Sequence, residues 1–455
     1  MSTVIAFLFM LSFIKRTTQY CKLIKGENDF FPEGEWSYPV KTSSNRLIII
    51  TDNHSILLKE NPIESGDYKS YCYDPTLTAP KISALTELPD NYAVLTTVNT
   101  DSQKLNTTLI NTNNDNMTYI YDDSVNVSVS KDNYNIGICL ENENYFVVAL
   151  IVTTGSNNKC MFYRFQYSKD YSKISLNKTL NIELTESYGF TIGGMSLVRV
   201  QELQKTFCLC ISDDKLILLS IGDGLTNVEQ KELNFNDIIN ETNLTLKTPK
   251  IQVINDNPDS YVISFITQNE TQKNYQGHTL HVGILKYNED LKKANFITID
   301  ELKSENYGFL VDDGKILSLL YLTLTNNMTY WNYYINDDRL SKQDEIFSGT
   351  KTITSNEHFY FNLLNIRDKH SIMVSHLSGK IEISLIKKSE CILSEPIYIK
   401  KGLSVNFTSE FNHTIQYLYL PNYFIFLIND KIIYPYQTYE STDATTIFTF
   451  GNPST

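Results

Sequence analysis

The histidines, which could bind a metal or transfer protons, are few and scattered along the chain. They are His54, His278, His281, His358, His370, His376 and His413. His278 and His281 are the closest pair, but three positions apart on a strand their rings would point to opposite faces. We therefore expect no metal site, and we regard these residues as ordinary surface or loop histidines.

Motifs for nucleophilic or nucleotide chemistry are missing from the sequence. The string at residues 193–197, Gly-Gly-Met-Ser-Leu, lacks the second glycine of a nucleophile elbow. Neither the Gly-x-Gly-x-x-Gly pattern nor the Gly-Lys-Ser/Thr pattern of phosphate-binding loops occurs. We expect no cofactor, and the sequence favours a protein that is not an enzyme.

Acidic pairs are the best argument for an enzyme, because glycoside hydrolysis needs two carboxylates around the scissile bond. Four pairs occur, and we expect them at solvated hairpin tips: Asp122-Asp123, Asp213-Asp214, Asp312-Asp313 and Asp337-Asp338. Binding of a substrate carboxylate, as in sialidases, would need clustered arginines. Arg46, Arg164 and Arg199 could form such a cluster, although no neighbouring motif supports it.

The charge of the chain argues against a nucleic-acid partner. Its 455 residues contain 39 Lys and Arg against 52 Asp and Glu, so 39 − 52 gives −13. A nucleic-acid binder would need a basic surface to neutralise phosphates. Hydrophobic residues make up 42% of the chain, as in globular proteins.

The first residues predict export from the cell. Residues 4–14 form an apolar run that is too short to cross a bilayer and has the length of a signal-peptide core. We expect residues 1–20 to be a signal peptide, no membrane span after it, and a secreted, extracellular protein. Eleven Asn-x-Ser/Thr triplets are candidate N-glycosylation sites: Asn53, Asn106, Asn116, Asn126, Asn177, Asn240, Asn243, Asn269, Asn327, Asn406 and Asn412.

The chain has seven cysteines, and this odd number would become even if cleavage of the leader also removed Cys21. The candidate disulfide cysteines are then Cys72, Cys139, Cys160, Cys208, Cys210 and Cys391. Cys208 and Cys210 lie two apart on a predicted strand, on the same face, so we do not expect them to bond to each other. Several of the six could equally be buried thiols.

Strand patterns repeat along almost the whole chain. A very apolar strand, a turn and an alternating strand recur about every 45 to 60 residues, the spacing of propeller blades. The apolar strands are residues 47–51, 92–98, 145–153, 206–212, 261–267, 315–323, 371–376 and 423–428. The most apolar of them, at 146–152, 316–324 and 423–428, are predicted to be the inner strands of blades.

We therefore predict an all-β fold, a β-propeller of seven or eight four-stranded blades, with residues 21–455 as a single domain. Two short self-similarities support the repeat: residues 79–83 resemble 248–252, and residues 186–192 resemble 305–311. The alternative is two β-sandwich domains joined near residues 226–247. Residues 229–240 are the best helix candidate, although they are polar enough to form a loop.

The function expected from these features is binding. We expect a secreted, N-glycosylated propeller that binds an extracellular protein or glycan and that could be host-directed or act at a cell surface. Aromatic residues concentrate at 331–334 and 417–424, where they could form a recognition surface or pack between blades. The alternatives are a secreted glycoside hydrolase, with acids around a central cavity, and a structural component of an extracellular coat.

Overall fold

The computed structural model describes most of the chain between residues 36 and 437. The described segments are 36–42, 46–53, 55–58, 71–74, 77–113, 118–129, 134–154, 157–186, 192–212, 215–234, 244–254, 257–269, 278–287, 289–312, 316–325, 327–336, 339–342, 349–352, 360–367, 370–377, 380–387, 392–393, 404–408, 414–420, 423–428 and 431–437. Within them the only helical element is a single 3₁₀ turn, Leu291–Lys293. None of these segments contains a helix that is long and apolar enough to span a bilayer.

The first four units of the fold are antiparallel sheets of four consecutive strands. Blade 1 contains β1 (Ser37–Lys41), β2 (Leu47–Thr51), β3 (Ser55–Leu58) and β4 (Tyr71–Asp74). Blade 2 contains β5 (Ser83–Leu88), β6 (Tyr92–Asn99), β7 (Lys104–Asn111) and β8 (Thr118–Asn126). Blade 3 contains β9 (Tyr134–Asn142), β10 (Tyr145–Thr154), β11 (Asn157–Tyr167) and β12 (Ile174–Glu186). Blade 4 contains β13 (Ile192–Val200), β14 (Lys205–Ser212), β15 (Lys215–Gly222) and β16 (Thr226–Asn234).

One long strand, β20 (Asn295–Asp312), belongs to both of the next two units. Blade 5 contains β17 (Leu244–Ile254), β18 (Asn257–Asn269), β19 (His278–Lys286) and the first part of β20, which pairs with β19. Blade 6 contains the second part of β20, followed by β21 (Ile316–Thr323), β22 (Asn327–Asn336), β23 (Arg339–Lys342) and β24 (Gly349–Thr352). Because β23 and β24 both pair with β22, together they form the fourth strand of blade 6.

Two further sheets follow in the chain. Blade 7 contains β25 (Tyr360–Arg367), β26 (His370–Leu377), β27 (Lys380–Lys387) and β28 (Ile392–Leu393). The last sheet contains β29 (Ser404–Thr408), β30 (Thr414–Leu420), β31 (Tyr423–Ile428) and β32 (Lys431–Gln437).

The first strands of the seven blades form a closed ring. Each contacts the first strand of the next blade, in the order β1, β5, β9, β13, β17, β20 and β25, and β25 contacts β1. Four-stranded antiparallel sheets arranged radially around an axis define a β-propeller. The predicted fold is therefore confirmed: seven blades close the ring, and an eighth four-stranded sheet follows them in the chain.

The hydrophobic core lies between neighbouring blades rather than inside any one of them. In β10, Phe146 and Val148 pack in a cluster with blade 2, whereas Val147 and Ala149 pack in a cluster with blade 4. A middle strand is therefore buried on both faces, so it needs apolar residues at every position. This explains the apolar runs in the sequence.

The predicted position of these runs within a blade is wrong in one respect. Residues 146–152 and 316–324 overlap β10 and β21, which are the second strands of their blades, and residues 423–428 form β31, the third strand of the last sheet. The inner strands have one edge on the central axis, where no further strand pairs with them. They can therefore carry more polar and smaller residues than the middle strands.

The structure also corrects the helix candidate and the two-sandwich arrangement. Residues 226–234, which overlap the helix candidate, form the outermost strand β16, whose side chains are mostly exposed. Residues 235–240 lie outside the described segments. The expected junction of two sandwiches lies between β16 and β17, which belong to neighbouring blades packed around a shared core.

Candidate functional site

A cavity of about 640 Å³ lies on the central axis of the ring. Its walls come from the inner strands of six blades, namely β5, β9, β13, β17, β20 and β25. A volume of this size is typical of sites for small molecules. Since β13 and β17 supply most of the lining residues, the polar groups of these two strands determine what the cavity can bind.

Lys250 is the one charged residue among the described residues that line the cavity. It belongs to β17, and its Nζ donates a hydrogen bond to the carbonyl oxygen of Tyr307 on β20. Nζ also lies 4.3 Å from the centre of the Tyr307 ring, which is within the range of a cation–π contact. Burial lowers the pKa of Lys250 to about 8. No carboxylate of the described residues forms an ion pair with it.

Polar side chains of the cavity wall connect one inner strand to the next. Ser196 Oγ of β13 accepts a hydrogen bond from the backbone N–H of Ile251 at 3.2 Å. Gln252 Oε1 of β17 accepts one from the backbone N–H of Val311 at 2.6 Å. These bonds satisfy backbone groups on the free edges of inner strands, and they fix the wall of the cavity.

Tyr307 attaches blade 6 to blade 5 beside Lys250. Its hydroxyl donates to the Thr248 carbonyl at 2.8 Å and lies 2.7 Å from Ser264 Oγ. Burial raises the pKa of the Tyr307 phenol well above its usual value, so the group is neutral. Lys250 therefore sits between a neutral phenol ring, a carbonyl group and the cavity.

Gly194 allows β13 and β17 to approach each other closely at this wall. Its φ is +118°, a conformation that residues with side chains rarely adopt. A Cβ atom added there would lie 2.8 Å from Pro249 Cδ. The close approach places Thr248, Pro249 and Lys250 at the edge of the cavity.

The described members of the predicted acidic pairs, Asp122, Asp123 and Asp312, are not among the residues that line the cavity. Asp122 and Asp123 lie within β8, the outermost strand of blade 2, so the hairpin prediction is wrong for this pair. Asp312 is the last residue of β20. The other five members, Asp213, Asp214, Asp313, Asp337 and Asp338, lie outside the described residues.

Each of the three arginines has a different hydrogen-bond or ion-pair partner. Arg46 Nη1 donates to the carbonyl oxygen of Thr112. Arg199 Nη1 lies 2.6 Å from Asp223 Oδ1. Arg164 pairs with Glu141 in blade 3, and none of the three lines the cavity. The described lining of the axial cavity therefore contains no arginine, whereas a sialidase would need a cluster of them beside its substrate carboxylate.

The Arg164–Glu141 pair lies within blade 3, and its carboxylate also contacts blade 4. Arg164 Nε lies 2.7 Å from Glu141 Oε2, and the Glu141 side chain is only 2% exposed. Its other oxygen, Oε1, accepts a hydrogen bond from the backbone N–H of Gly224 in blade 4 at 3.0 Å. The guanidinium also stacks on Tyr145, 3.5 Å from the ring centre.

Two histidines are described with their side chains, and both lie within blade 5. His281 is buried within β19, so the expectation of a surface or loop position is wrong for this residue. Its ring stacks on that of Phe265, and its Nε2 atom lies 3.0 Å from Thr267 Oγ1. Burial lowers the pKa of His281 to about 4 and also lowers that of His278. In the described part of the chain no three His, Cys, Asp or Glu side chains are grouped as metal ligands would be.

The four described cysteines are buried free thiols in the core between blades 3 and 4, so the structure does not support disulfides among them. Cys208 and Cys210 lie on one face of β14, in the same cluster as Cys139 and Cys160. Burial raises the pKa of Cys139 to about 12 and also raises the pKa of Cys160 and Cys208. These groups are therefore protonated and unreactive at neutral pH. The side chains of the other two candidates, Cys72 and Cys391, lie outside the described part.

Four of the predicted glycosylation sites have described side chains. Asn53, Asn126 and Asn177 are exposed, whereas Asn106 is half-buried within β7. Asn177 Oδ1 accepts a hydrogen bond from Arg164 at 2.8 Å. The side chains of the remaining seven, Asn116, Asn240, Asn243, Asn269, Asn327, Asn406 and Asn412, lie outside the described residues.

The first aromatic segment packs mainly into the protein. In β22, Tyr333 is buried and Trp331 packs against the core between blades 5 and 6, whereas Tyr334 is exposed. Residues 417–424 fall in and between β30 and β31, and their side chains are not among those described. The described part of these segments therefore favours packing over a recognition surface.

The sequence reasoning did not identify Lys250, Ser196 or Gln252 as site residues. A signal was present, because the self-similar segments 79–83 and 248–252 contain the same Pro-Lys-Ile string. In the structure the first string comes directly before the inner strand β5, and the second lies within the inner strand β17. The repeat therefore marked the strands that face the axis.

No family model and no curated protein matches the chain. Among solved structures, it is similar to the β-propeller domain of Nup133 from Vanderwaltozyma polyspora, with 10% identity, a TM-score of 0.46 and coverage of 82% of this chain and 98% of that one. It is also similar to an α-L-arabinanase of Penicillium chrysogenum solved with arabinobiose, with 9% identity, a TM-score of 0.43 and coverage of 72% and 98%. A lectin of Aleuria aurantia matches with 9% identity, a TM-score of 0.39 and coverage of 69% and 96%. The strand order, the ring of inner strands and the axial cavity identify the chain as a β-propeller.

Proposed function

We propose that this propeller is a secreted, glycosylated binding module that takes an extracellular glycan into its axial cavity. The observation that carries the proposal is the composition of the cavity wall. It combines apolar side chains such as Phe309 and Pro249 with a few polar groups, including Asn135, Thr248 and Lys250. Sites for small ligands typically combine apolar contacts with a few polar groups that fix the orientation of the ligand.

The same wall argues against the hydrolase alternative. Glycoside hydrolysis needs two carboxyl groups, about 5 to 9.5 Å apart, on either side of the bond to be cleaved. None of the described residues that line the cavity is an Asp or a Glu. A binding site without this pair can hold a sugar but lacks the general acid that would protonate the leaving group.

The test is a glycan array probed with the full-length protein purified from a eukaryotic culture medium, together with a panel of glycoside substrates. We expect retention of a defined class of glycans and no turnover of any substrate. The proposal would be contradicted if no glycan on the array were retained. It would also be contradicted if sugar were released from a substrate at a rate proportional to the protein concentration.

Secretion and glycosylation can be tested on the same material. We expect Asn53, Asn126 and Asn177 to carry glycans because their side chains are exposed, and Asn106 to be unmodified because β7 is flanked by two strands. Peptide mapping before and after enzymatic deglycosylation measures the occupancy of each site. An unchanged mass after deglycosylation, with Met1 retained, would contradict the export of this protein.

A further inference from the structure

Lys250 has a charge that nothing in its described surroundings balances. Its neighbours are the Tyr307 carbonyl, the Tyr307 ring and the cavity, and no carboxylate is paired with it. Removing a cation even partly from water without an anionic partner is unfavourable. An anion that enters the cavity and pairs with Lys250 would offset this unfavourable burial of charge.

A structural role alone does not need the charge. The hydrogen bond to the Tyr307 carbonyl uses one of the three N–H donors of the ammonium group. A neutral donor such as glutamine could make a similar bond without the cost of burying a charge. The fixed wall around Lys250, pinned by Ser196 and Gln252, also means that an entering anion would find the cation already in place.

We propose that the axial cavity binds the carboxylate of an acidic sugar, and that Lys250 is the residue that pairs with it. This inference rests on the proposed glycan-binding function and specifies the class of glycan. Apolar side chains of the wall such as Phe309 would contact the sugar ring, while the ammonium group would form a charge-assisted hydrogen bond to the carboxylate. The cavity would therefore select acidic sugars over their neutral counterparts.

The test uses calorimetric titration of the full-length protein with three probes: D-glucuronate, D-glucose and acetate. Glucose has the same ring without the carboxylate, and acetate has the carboxylate without the ring. The variant Lys250→Met removes the charge, and Lys250→Arg retains it. The control is Lys81→Met, since Lys81 is the matching lysine of the other Pro-Lys-Ile string and its side chain is exposed.

We expect glucuronate to bind more tightly than glucose, and binding to weaken at least about tenfold in Lys250→Met, as for loss of a hydrogen bond to a charged group. Lys250→Arg should retain most of the affinity, and Lys81→Met all of it. Circular dichroism of each variant would show that the fold is intact. Equal affinity for glucose and glucuronate, or unchanged glucuronate binding in a folded Lys250→Met variant, would overturn the inference.

The affinity for glucuronate should also depend on pH. The pKa of Lys250 in the free protein is about 8, so raising the pH from 7 to 9 should weaken binding roughly tenfold as the amine loses its proton. The charged groups of the neighbouring strands have partners of their own: Glu305 of β20 pairs with Lys247 at 3.1 Å, and Arg199 of β13 pairs with Asp223. The Tyr307 phenol is neutral because burial raises its pKa. A flat profile between pH 7 and 9 would contradict the role of Lys250.

Failure of this inference and failure of the proposed function give different results. If the array shows binding of neutral glycans that Lys250→Met leaves unchanged, the binding function stands and the assignment of acidic sugars is wrong. If acetate and glucuronate bind equally at Lys250 and no glycan is retained on the array, the cation site is real but the glycan function is wrong.

Discussion

The Glu141→Gln variant should lose about 3 kcal/mol of unfolding free energy, as expected when one member of a buried ion pair is removed. Glutamine has the same size, so the change removes only the charge. Arg164 would then be a cation in a largely buried position, with its side chain 13% exposed and no acidic partner. The hydrogen bond from Gly224 to residue 141 would also become weaker because the acceptor is no longer charged.

Urea unfolding followed by circular dichroism measures this loss, and the Lys159–Glu183 pair provides a matched control. That pair lies in the same blade, with Nζ and Oε1 2.7 Å apart, but its side chains are 35% and 61% exposed. Glu183→Gln should therefore change the unfolding free energy by less than about 1 kcal/mol. Equal losses in the two variants would show that the Glu141 contact between blades 3 and 4 does not stabilise the protein as described.

The second large effect is expected at Gly194, where two blades meet beside the cavity. Gly194→Ala should lower the free energy of unfolding by about 3 kcal/mol, from backbone strain and from overpacking together. The strain arises because alanine is disfavoured at a φ of +118°. The overpacking arises because the new Cβ would lie 2.8 Å from Pro249 Cδ, and the proline ring cannot move without displacing β17.

Gly224 separates these two contributions. Its φ is also positive, at +67°, but a Cβ there would have no atom within 4 Å. Gly224→Ala should therefore cost only about 1 to 2 kcal/mol, from the left-handed backbone alone. Thermal and urea unfolding of both variants give the comparison. If Gly194→Ala is no more destabilising than Gly224→Ala, the close approach of β13 and β17 does not contribute to the stability of the ring.

The blades could be predicted from the sequence because the middle strands of each blade are buried on both faces. In β10 and β14, nearly every residue must be apolar, and this produces a run that is visible without any alignment. The shared strand β20 could not be predicted in the same way. It is an outer strand at Asn295 and an inner strand at Tyr307, and such a change of environment has no simple periodicity.

The site was harder to predict than the fold, because it is made of single residues from separate blades. Ser196, Lys250 and Phe309 lie far apart in the sequence and meet only when the ring closes. The acidic pairs show the converse, because residues that are adjacent in sequence need not belong to the site. Asp122 and Asp123 lie on an outermost strand. Composition and spacing indicate strands and turns, whereas the axis is defined only by how the blades pack.

The most direct test of the account is amide hydrogen exchange of the full-length protein with and without a glycan that the array identifies. We expect the glycan to slow exchange in residues 194–198 and 248–252, which lie on the inner strands β13 and β17 around the axial cavity. Strand β16 (Thr226–Asn234), on the exposed outer edge of blade 4, should exchange at the same rate in both states. Slower exchange that is confined to outer strands, with none at 194–198 or 248–252, would show that the axial cavity is not the binding site.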